Sequence, residues 1–324
     1  MSRVNIFLDS GAHSLYIFNV LKGKAVESIP LQGDEARARA KEMAEMRRQL
    51  TLQGGYNLAR ASVTGRHTAS KEGFKYFYEN VFWEYLDSYG KFLQRFGSLI
   101  EKCVNMDVIF NPEQTWKAQK YIEDNYGVEP IPVIHWGTPY SWIEKYVKEG
   151  YEYLGIGGLG QEVHVNRYTD WADGVFEMLK GTNIKTHGFA MTSYPMILRY
   201  PWTSVDSTTY TLMAGYGKIL IPHLRNGEFD FTPTPYILKV SSMKGKKKYV
   251  GRNPTYHLLR GNEKKVVDQW MEYIGEKIGD DNEEGVSNSH YRRCVANIQF
   301  FLAFQKWLEG RERQFVPRER FGFV

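Results

Sequence analysis

The chain has 324 residues and a net charge of +5, and aromatic residues make up 15% of it. That length can form one large domain or two ordinary ones, while the longest apolar runs are too short to span a membrane. The mild positive charge is compatible with a polyanionic partner but does not require one. Two cysteines and the lack of a leader-like start predict a cytoplasmic protein without a disulfide framework.

Short apolar runs alternate with helix-like patterns along the chain, and this alternation predicts a parallel sheet. The predicted strands are residues 5–8, 107–110, 132–135, 153–156, 186–190, 204–206 and 218–221. The predicted helices between them are residues 113–125, 140–149, 171–179 and 208–214. With six or seven such strands and polar sites at several strand ends, an α/β fold of the (β/α)8 barrel type is favoured over an open sheet.

Other patterns flank this alternation. Residues 34–50 have the composition of an exposed helix, residues 54–67 read as a loop, and residues 74–96 carry a dense aromatic stripe that belongs in a core. Residues 229–260 predict a β-rich insertion with a basic tip. Two amphipathic helices, at about 264–278 and 288–308, are expected on the outside of a single barrel domain that spans residues 1–324.

Three short polar or glycine-rich sites each follow a predicted strand. They are Asp9-Ser10-Gly11, Gly157-Gly158-Leu159 and Asp206-Ser207-Thr208. A side chain at the carboxyl end of a strand is held rigidly and faces the cleft of an α/β scaffold. Two carboxylates there can divide the roles of nucleophile and acid/base. Each aspartate also has a structural alternative: Asp206 as a helix N-cap and Asp9 as the cap of a turn.

The order and spacing of these sites resemble the tRNA-guanine transglycosylase superfamily. Its members exchange guanine in a polynucleotide for a 7-deazaguanine on a (β/α)8 barrel. The family's Asp-Ser-Gly-Gly motif resembles residues 9–12, where Ala12 replaces the second glycine. Its Gly-Gly-Leu motif resembles residues 157–159, and its nucleophile motif resembles residues 205–210. The resemblance covers roughly two-thirds of the chain, from Asp9 to Gly217.

The resemblance implies a role for each motif. Asp206 would be the nucleophile that holds C1′ of the sugar, and Asp9 would carry the proton to the leaving guanine and from the incoming base. The other residues of the implied substrate site are Ser10, Gly11, Asn111, His135, Gly157, Gly158 and Leu159. His187 is a further candidate because it lies on another predicted strand end, where it would line the same pocket. The glycines would let a flat base approach the backbone. Asn111 and His135 fall where the tRNA enzymes have a pocket aspartate and glutamine, although His135 also has the alternative of a structural histidine.

The chain departs from the tRNA enzymes in two respects. Their zinc site needs three closely spaced cysteines and a histidine, whereas Cys294, with His290 near it, is the single cysteine downstream of Asp206. We therefore expect no zinc and no other cofactor. The barrel strands that precede the first motif in the tRNA enzymes have no counterpart before Asp9, so closure must use later strands or another arrangement.

The zinc-free form most resembles the phage DNA-guanine transglycosylases. This resemblance implies DNA and a 7-deazaguanine base as partners, no membrane, and the host cytoplasm as the location of a phage-encoded protein. A basic cluster suits sequence-independent contact with phosphates; it comprises Lys244, Lys246, Lys247, Lys248 and Arg252. The alternative for this cluster is a solvated surface loop.

Three other functions remain open at this point. The first is a tRNA-guanine transglycosylase, because the sequence does not decide between DNA and RNA. The second is a non-catalytic nucleic-acid-binding subunit of the same family, against which the presence of both Asp9 and Asp206 argues. The third is an unrelated barrel hydrolase with two carboxylates, for instance a glycosidase. Such a hydrolase would not need a glycine-lined site or a basic cluster.

Overall fold

A computed structural model describes residues 7–8, 82–108, 111–158, 165–191, 193–241, 255–311 and 315. Within these residues, eight α-helices and ten strands form a mixed α/β fold, which confirms the predicted fold class at this level. Contacts divide the chain into two compact units. One comprises residues 1–190, 202–205 and 317–324, and the other comprises residues 191–201 and 206–316. A single barrel domain over the whole chain stays a prediction.

The first unit is built on parallel strands that lie in sequence order. They are β1 (Phe7–Leu8), β2 (Lys102–Cys103), β3 (Val133–His135), β4 (Tyr153–Gly157), β5 (Lys185–Gly188) and β6 (Ser204–Val205). Strand β1 pairs with β2, and β3 to β6 form a four-stranded parallel sheet. A parallel bridge between Val104 and Ile131 links the residues after β2 to those before β3.

Helices connect these strands: α1 (Trp83–Phe96), α2 (Pro112–Tyr126), α3 (Tyr140–Lys148) and α4 (Val165–Leu179), with a 3₁₀ turn at Gly97–Leu99. Local sequence explains the bounds of α2. Asn111 is its N-cap, Pro112 occupies the first turn, and Gly127 ends it with a left-handed φ of 64°. Helices α1 and α2 pack with Cys103 of β2 in one apolar cluster.

The two faces of the four-stranded sheet differ in chemistry because side chains alternate along a strand. One face carries Ile134, Leu154 and Ile156, each about 1% exposed. The opposite face carries His135, Gly155, Gly157, His187 and Ser204. Pairing places His135 opposite Gly157, Gly155 opposite His187, and His187 opposite Ser204. We call this second face the polar face of the sheet.

The second unit contains α5 (Tyr194–Arg199), α6 (Thr209–Gly215), α7 (Gly261–Tyr273) and α8 (His290–Glu309), with a 3₁₀ turn at Tyr256–Leu258. Its strands are β7 (Lys218–Ile221), β8 (His223–Arg225), β9 (Glu228–Asp230) and β10 (Tyr236–Lys239). Strand β7 pairs antiparallel with β10, and β8 pairs with β9. Asn226 and Gly227 both have positive φ, as a two-residue hairpin turn requires.

Buried polar side chains on α8 hold the second unit together. The Asn297 side chain accepts a hydrogen bond from the backbone N–H of Leu220 and donates to the carbonyl oxygens of Tyr210 and Lys218. Arg293 donates to the carbonyl oxygens of Ala214 and Val286. These bonds tie α8 to α6 and β7. The helix predicted at 288–308 is observed at His290–Glu309, and its place on the outside of a barrel stays a prediction.

Most predicted elements lie within a few residues of their observed positions, but the strand predicted at 107–110 is not found at its two described residues. Asp107 and Val108 lie in the loop that follows β2, and residues 109–110 lie outside the described part of the chain. Val108 is nonetheless 3% exposed, and its N–H donates to Thr115 Oγ1. At Val108 the apolar pattern therefore indicates a buried loop residue rather than a strand residue.

Other predicted segments lie outside the described residues: 34–50, 54–67 and the basic tip of the 229–260 insertion. Along the part of the chain that the structure describes, no helix is long and apolar enough to cross a membrane.

Candidate functional site

The carboxyl ends of β3 to β6 bring several of the predicted site residues to one edge of the sheet. His135 ends β3, Gly157 ends β4 and is followed by Gly158, and His187 lies within β5. The predicted residues outside the described part of the chain are Asp9, Ser10, Gly11, Leu159, Lys244, Lys246, Lys247, Lys248 and Arg252. Their roles stay predictions.

His135 is paired with a carboxylate that the sequence analysis did not single out. Its Nε2 lies 2.8 Å from Oδ2 of Asp107, and the side chains are 11% and 17% exposed. Thr138 holds the backbone at the same point, because its Oγ1 accepts from the N–H of His135 and its N–H donates to the His135 carbonyl. A carboxylate can only accept, so Nε2 carries the hydrogen in this pair. His135 is therefore a histidine whose orientation is set by Asp107.

The glycines at the end of β4 differ in what lies at the position that a Cβ atom would occupy. A Cβ on Gly155 would lie 2.5 Å from Cε2 of Phe189, so the Phe189 ring occupies the place of that missing side chain. A Cβ on Gly157 would have its nearest neighbour, Cδ2 of His135, at 3.4 Å. Gly158 has a φ of 72°, which favours glycine. Gly155 is thus covered by a ring and Gly157 is buried beside His135, whereas Gly158 is exposed at the end of β4.

Three side chains on adjacent strands form a hydrogen-bonded chain on the polar face. Ser204 Oγ of β6 lies 2.8 Å from Tyr153 OH of β4 and 2.8 Å from His187 Nδ1 of β5. The His187 ring also contacts the Phe189 ring edge to face, with centroids 4.6 Å apart. His187 is 4% exposed. The predicted site residue His187 is therefore oriented by Ser204, which Tyr153 holds in turn, and by the Phe189 ring.

Asn111 caps a helix, whereas its predicted role is to contact the edge of a base. Its Oδ1 accepts a hydrogen bond from the N–H of Gln114 at 3.1 Å, which caps helix α2. This bond engages the amide oxygen that would read a base edge. The predicted contact between Asn111 and a base stays a prediction, and it would have to use the amide group in its capping orientation.

Asp206 is exposed and directly follows Val205, the last residue of β6. The alternative that Asp206 is the N-cap of a helix is wrong, because α6 begins at Thr209 and has Thr208 as its N-cap. Ser207 Oγ accepts from the N–H of Thr209. Asp206 therefore lies at the tip of β6 without capping the following helix.

The sequence contained a signal for the residues that the prediction missed. Tyr153 lies two residues before Gly155, and Ser204 lies two residues before Asp206. Side chains two apart on a strand share a face, so both could have been assigned to the face of the predicted site. The Asp107–His135 pair has no such local signal, because it joins residues from two separate elements.

Among the described residues, no three His, Cys, Asp or Glu side chains converge as a metal site requires. Cys294 Sγ lies 3.7 Å from His290 Nδ1, one turn away on α8. Whether the protein works without zinc stays a prediction. Comparison with known protein families, with curated proteins and with solved structures finds no significant match to this chain. The functional assignment therefore depends on residues and geometry alone.

Proposed function

We propose that this chain is a DNA-guanine transglycosylase, which exchanges guanine in DNA for a 7-deazaguanine base. The observation that carries the proposal is the exposed carboxylate of Asp206 at the carboxyl end of β6. Strand β6 belongs to a sheet on which His135, Gly157 and His187 share a face, and the exposed Gly158 follows at the end of β4. A carboxylate nucleophile next to a surface for a flat base is the minimum that base exchange needs.

The proposed reaction is two displacements at the sugar C1′. The Asp206 carboxylate forms a bond to C1′ while the bond from C1′ to guanine N9 breaks, and Asp9 gives a proton to the departing base. The incoming 7-deazaguanine then attacks C1′ with N9 and loses its N9 proton to Asp9, and the bond to Asp206 breaks. Two inversions retain the configuration at C1′. The proposed reaction uses no oxidant, reductant or cofactor.

The remaining predicted residues would bind the two substrates. Gly157 and Gly158 would let the base approach the backbone of β4, and the histidines of the polar face would contact its edge. Ser10, Gly11, Asn111 and Leu159 would complete the base site as the family resemblance implies. The basic cluster at 244–252 would contact phosphates without reading sequence.

We also propose that the parallel strands belong to a (β/α)8 barrel. Support comes from the sequence order of β1 to β6, because each strand lies next to its predecessor without the reversal of an open doubly wound sheet. Polar side chains on one face and apolar side chains on the other also suit a barrel wall with outer helices. An experimental structure that shows β1 and the last parallel strand joined directly or through further strands would establish closure.

The experiment replaces Asp206 by asparagine and measures incorporation of labelled 7-deazaguanine into DNA and into tRNA. The exchange should be lost while polynucleotide binding persists, because asparagine has the shape of aspartate but cannot hold the sugar as an ester. Asp281→Asn is the matched control, since Asp281 is an exposed aspartate in the loop before α8. It should exchange base at the parental rate.

Each other outcome of this experiment would indicate a different function. Parental exchange by Asp206→Asn would reject the nucleophile. Exchange confined to folded tRNA, with no product on single- or double-stranded DNA, would reject the DNA substrate and favour the tRNA enzyme. Polynucleotide binding without exchange by the parental protein would indicate a non-catalytic subunit. Release of free base or sugar without incorporation would indicate a hydrolase.

A further inference from the structure

Two lysines lie opposite each other at one end of the antiparallel pair of β7 and β10 in the second unit. Lys218 begins β7 and pairs directly with Lys239, the last residue of β10. Directly opposite side chains lie on the same face with their Cβ atoms about 4.5–5.5 Å apart, and like charges there are destabilising. Both lysines are half-buried, so salt screens their repulsion less than at an exposed pair. An anion bound by both ammonium groups would relieve this repulsion.

No carboxylate supplies that anion among the residues that the structure describes. There, neither lysine has an Asp or Glu oxygen within 4.0 Å. The Lys218 ammonium instead lies 5.9 Å from the centroid of the Tyr216 ring, within the range of a cation–π contact. Tyr216 is 70% exposed. Ammonium groups beside an exposed aromatic ring are the combination that binds single-stranded nucleic acid, because cations follow the phosphates while rings stack on bases.

The backbone fixes the positions of these three side chains. Tyr216 follows α6, and Gly217 turns the chain into β7 with a φ of 73°. The Gly217 carbonyl oxygen accepts hydrogen bonds from the N–H groups of Val240 and Ser241. A Cβ on Gly217 would lie 2.5 Å from that of Ser241, so the two backbones approach closely. The ring and the two ammonium groups are therefore carried by paired backbone.

The basic cluster at 244–252 joins the described part of the chain at this same end of β10. Ser241, on its amino-terminal side, is bonded to Gly217. Thr255, the first described residue on its carboxyl-terminal side, forms a parallel bridge with Lys239. Positive charge that continues along the sequence from a lysine pair suits a polymer of phosphates better than a single small anion.

We propose that Tyr216, Lys218 and Lys239 form a contact site for single-stranded DNA. The two lysines bind backbone phosphates, and the exposed ring of Tyr216 stacks on a neighbouring base without reading its identity. The site uses none of the residues assigned to base exchange. The choice of DNA as the polymer rests on the proposed function, whereas the charge and the ring rest on the geometry of β7 and β10.

The first test is binding of labelled oligothymidine to the whole chain, measured by fluorescence anisotropy at several salt concentrations. Oligothymidine has no guanine, so it reports binding without exchange. In Lys218→Gln/Lys239→Gln the affinity should fall. The slope of log K against log salt should become shallower by about 0.7 if the lysines share one phosphate, or about 1.4 if each binds its own. The control Lys148→Gln/Lys180→Gln removes the same charge from exposed positions in the first unit and should keep the parental slope.

The second test removes the stacking ring. Tyr216→Ala should weaken oligothymidine binding about 5- to 100-fold, as expected for the loss of one stacked base, at an unchanged salt slope. Tyr216→Phe keeps an aromatic face and should bind like the parental protein. Tyr291→Ala is the matched control, since Tyr291 is a tyrosine of 69% exposure on α8, and its affinity should be unchanged. Urea unfolding of each variant verifies that it is folded.

An unchanged slope in Lys218→Gln/Lys239→Gln, or unchanged affinity in Tyr216→Ala, would overturn the site. So would a parental protein that binds no oligothymidine, and tighter binding of oligouridine would overturn the assignment to DNA. The expected losses in a protein that exchanges no base on any polynucleotide would leave this inference standing and reject the proposed function. Base exchange by the parental protein, with parental affinity in all variants, would reject this inference alone.

Discussion

Replacing Gly155 by alanine tests whether the Phe189 ring packs directly on strand β4. The added Cβ would lie 2.5 Å from Cε2 and 3.1 Å from Cζ of that ring, and 3.4 Å from the Pro132 carbonyl oxygen. Real Cβ atoms do not approach other atoms to 2.5 Å, so the ring must move. Its contact with His187 would move with it, because the two rings touch.

The size of the effect follows from two opposing contributions. Overpacking a buried contact costs about 1–3 kcal/mol, whereas exchanging glycine for alanine restricts the unfolded chain and returns about 0.4–1 kcal/mol. The free energy of unfolding should therefore fall by about 1–2 kcal/mol, which changes the unfolding equilibrium by about 5- to 30-fold. Gly157→Ala is the matched control on the same strand and face. Its nearest contact would be 3.4 Å from His135, an ordinary van der Waals distance, so Gly157→Ala should raise the free energy of unfolding by about 0.4–1 kcal/mol.

Urea unfolding followed by circular dichroism measures these differences, and Phe189→Ala supplies the second arm of a double-mutant cycle. Without the ring, Gly155→Ala should raise the free energy of unfolding by about 0.4–1 kcal/mol, so the coupling free energy should equal the overpacking cost of about 1–3 kcal/mol. Equal stability of Gly155→Ala and Gly157→Ala would refute the packing argument. So would an unchanged cost of Gly155→Ala in the Phe189→Ala background.

Two further predictions concern charge. The pKa of Asp87 is lowered to about 2, chiefly by its hydrogen bond with Lys91 and then by that with Tyr126. The contribution of Asp87 to stability is therefore present above about pH 4 and lost as the pH falls towards 2. The free energy of unfolding should fall less steeply over this pH range in Asp87→Asn than in the parental protein. An equally steep fall in both proteins would contradict this role of Asp87. Replacing the lysines at 246, 247 and 248 together by serine should weaken DNA binding and flatten its dependence on salt without changing which base is exchanged. If the salt dependence of binding is unchanged, these lysines belong to a solvated loop.

The sequence by itself determined most of the element pattern, because its signals are local. The caps of α2 at Asn111 and Gly127 lie next to the helix that they end, and the predicted strand 218–221 coincides with β7. The Asn226-Gly227 pair at the β8–β9 turn is another local signal, although the prediction of a β-rich segment did not use it. Asp107 and Val108, where a strand was predicted, lie in a loop and show the limit of such signals. An apolar run indicates burial, and burial alone does not distinguish a strand from a packed loop.

Only the tertiary structure decided how the site residues combine. His187 meets Ser204, and Ser204 meets Tyr153, because strand pairing places these three side chains on one face. His135 meets Asp107 because the loop after β2 brings Asp107 beside the end of β3, and the ring of Phe189, which follows β5, lies on Gly155. Pairing and register depend on which side chains of distant segments can be buried together, and a shift of one residue would turn the strand residues among these groups to the opposite face. That choice is made by the packing of the whole sheet, so no single segment of the sequence contains it.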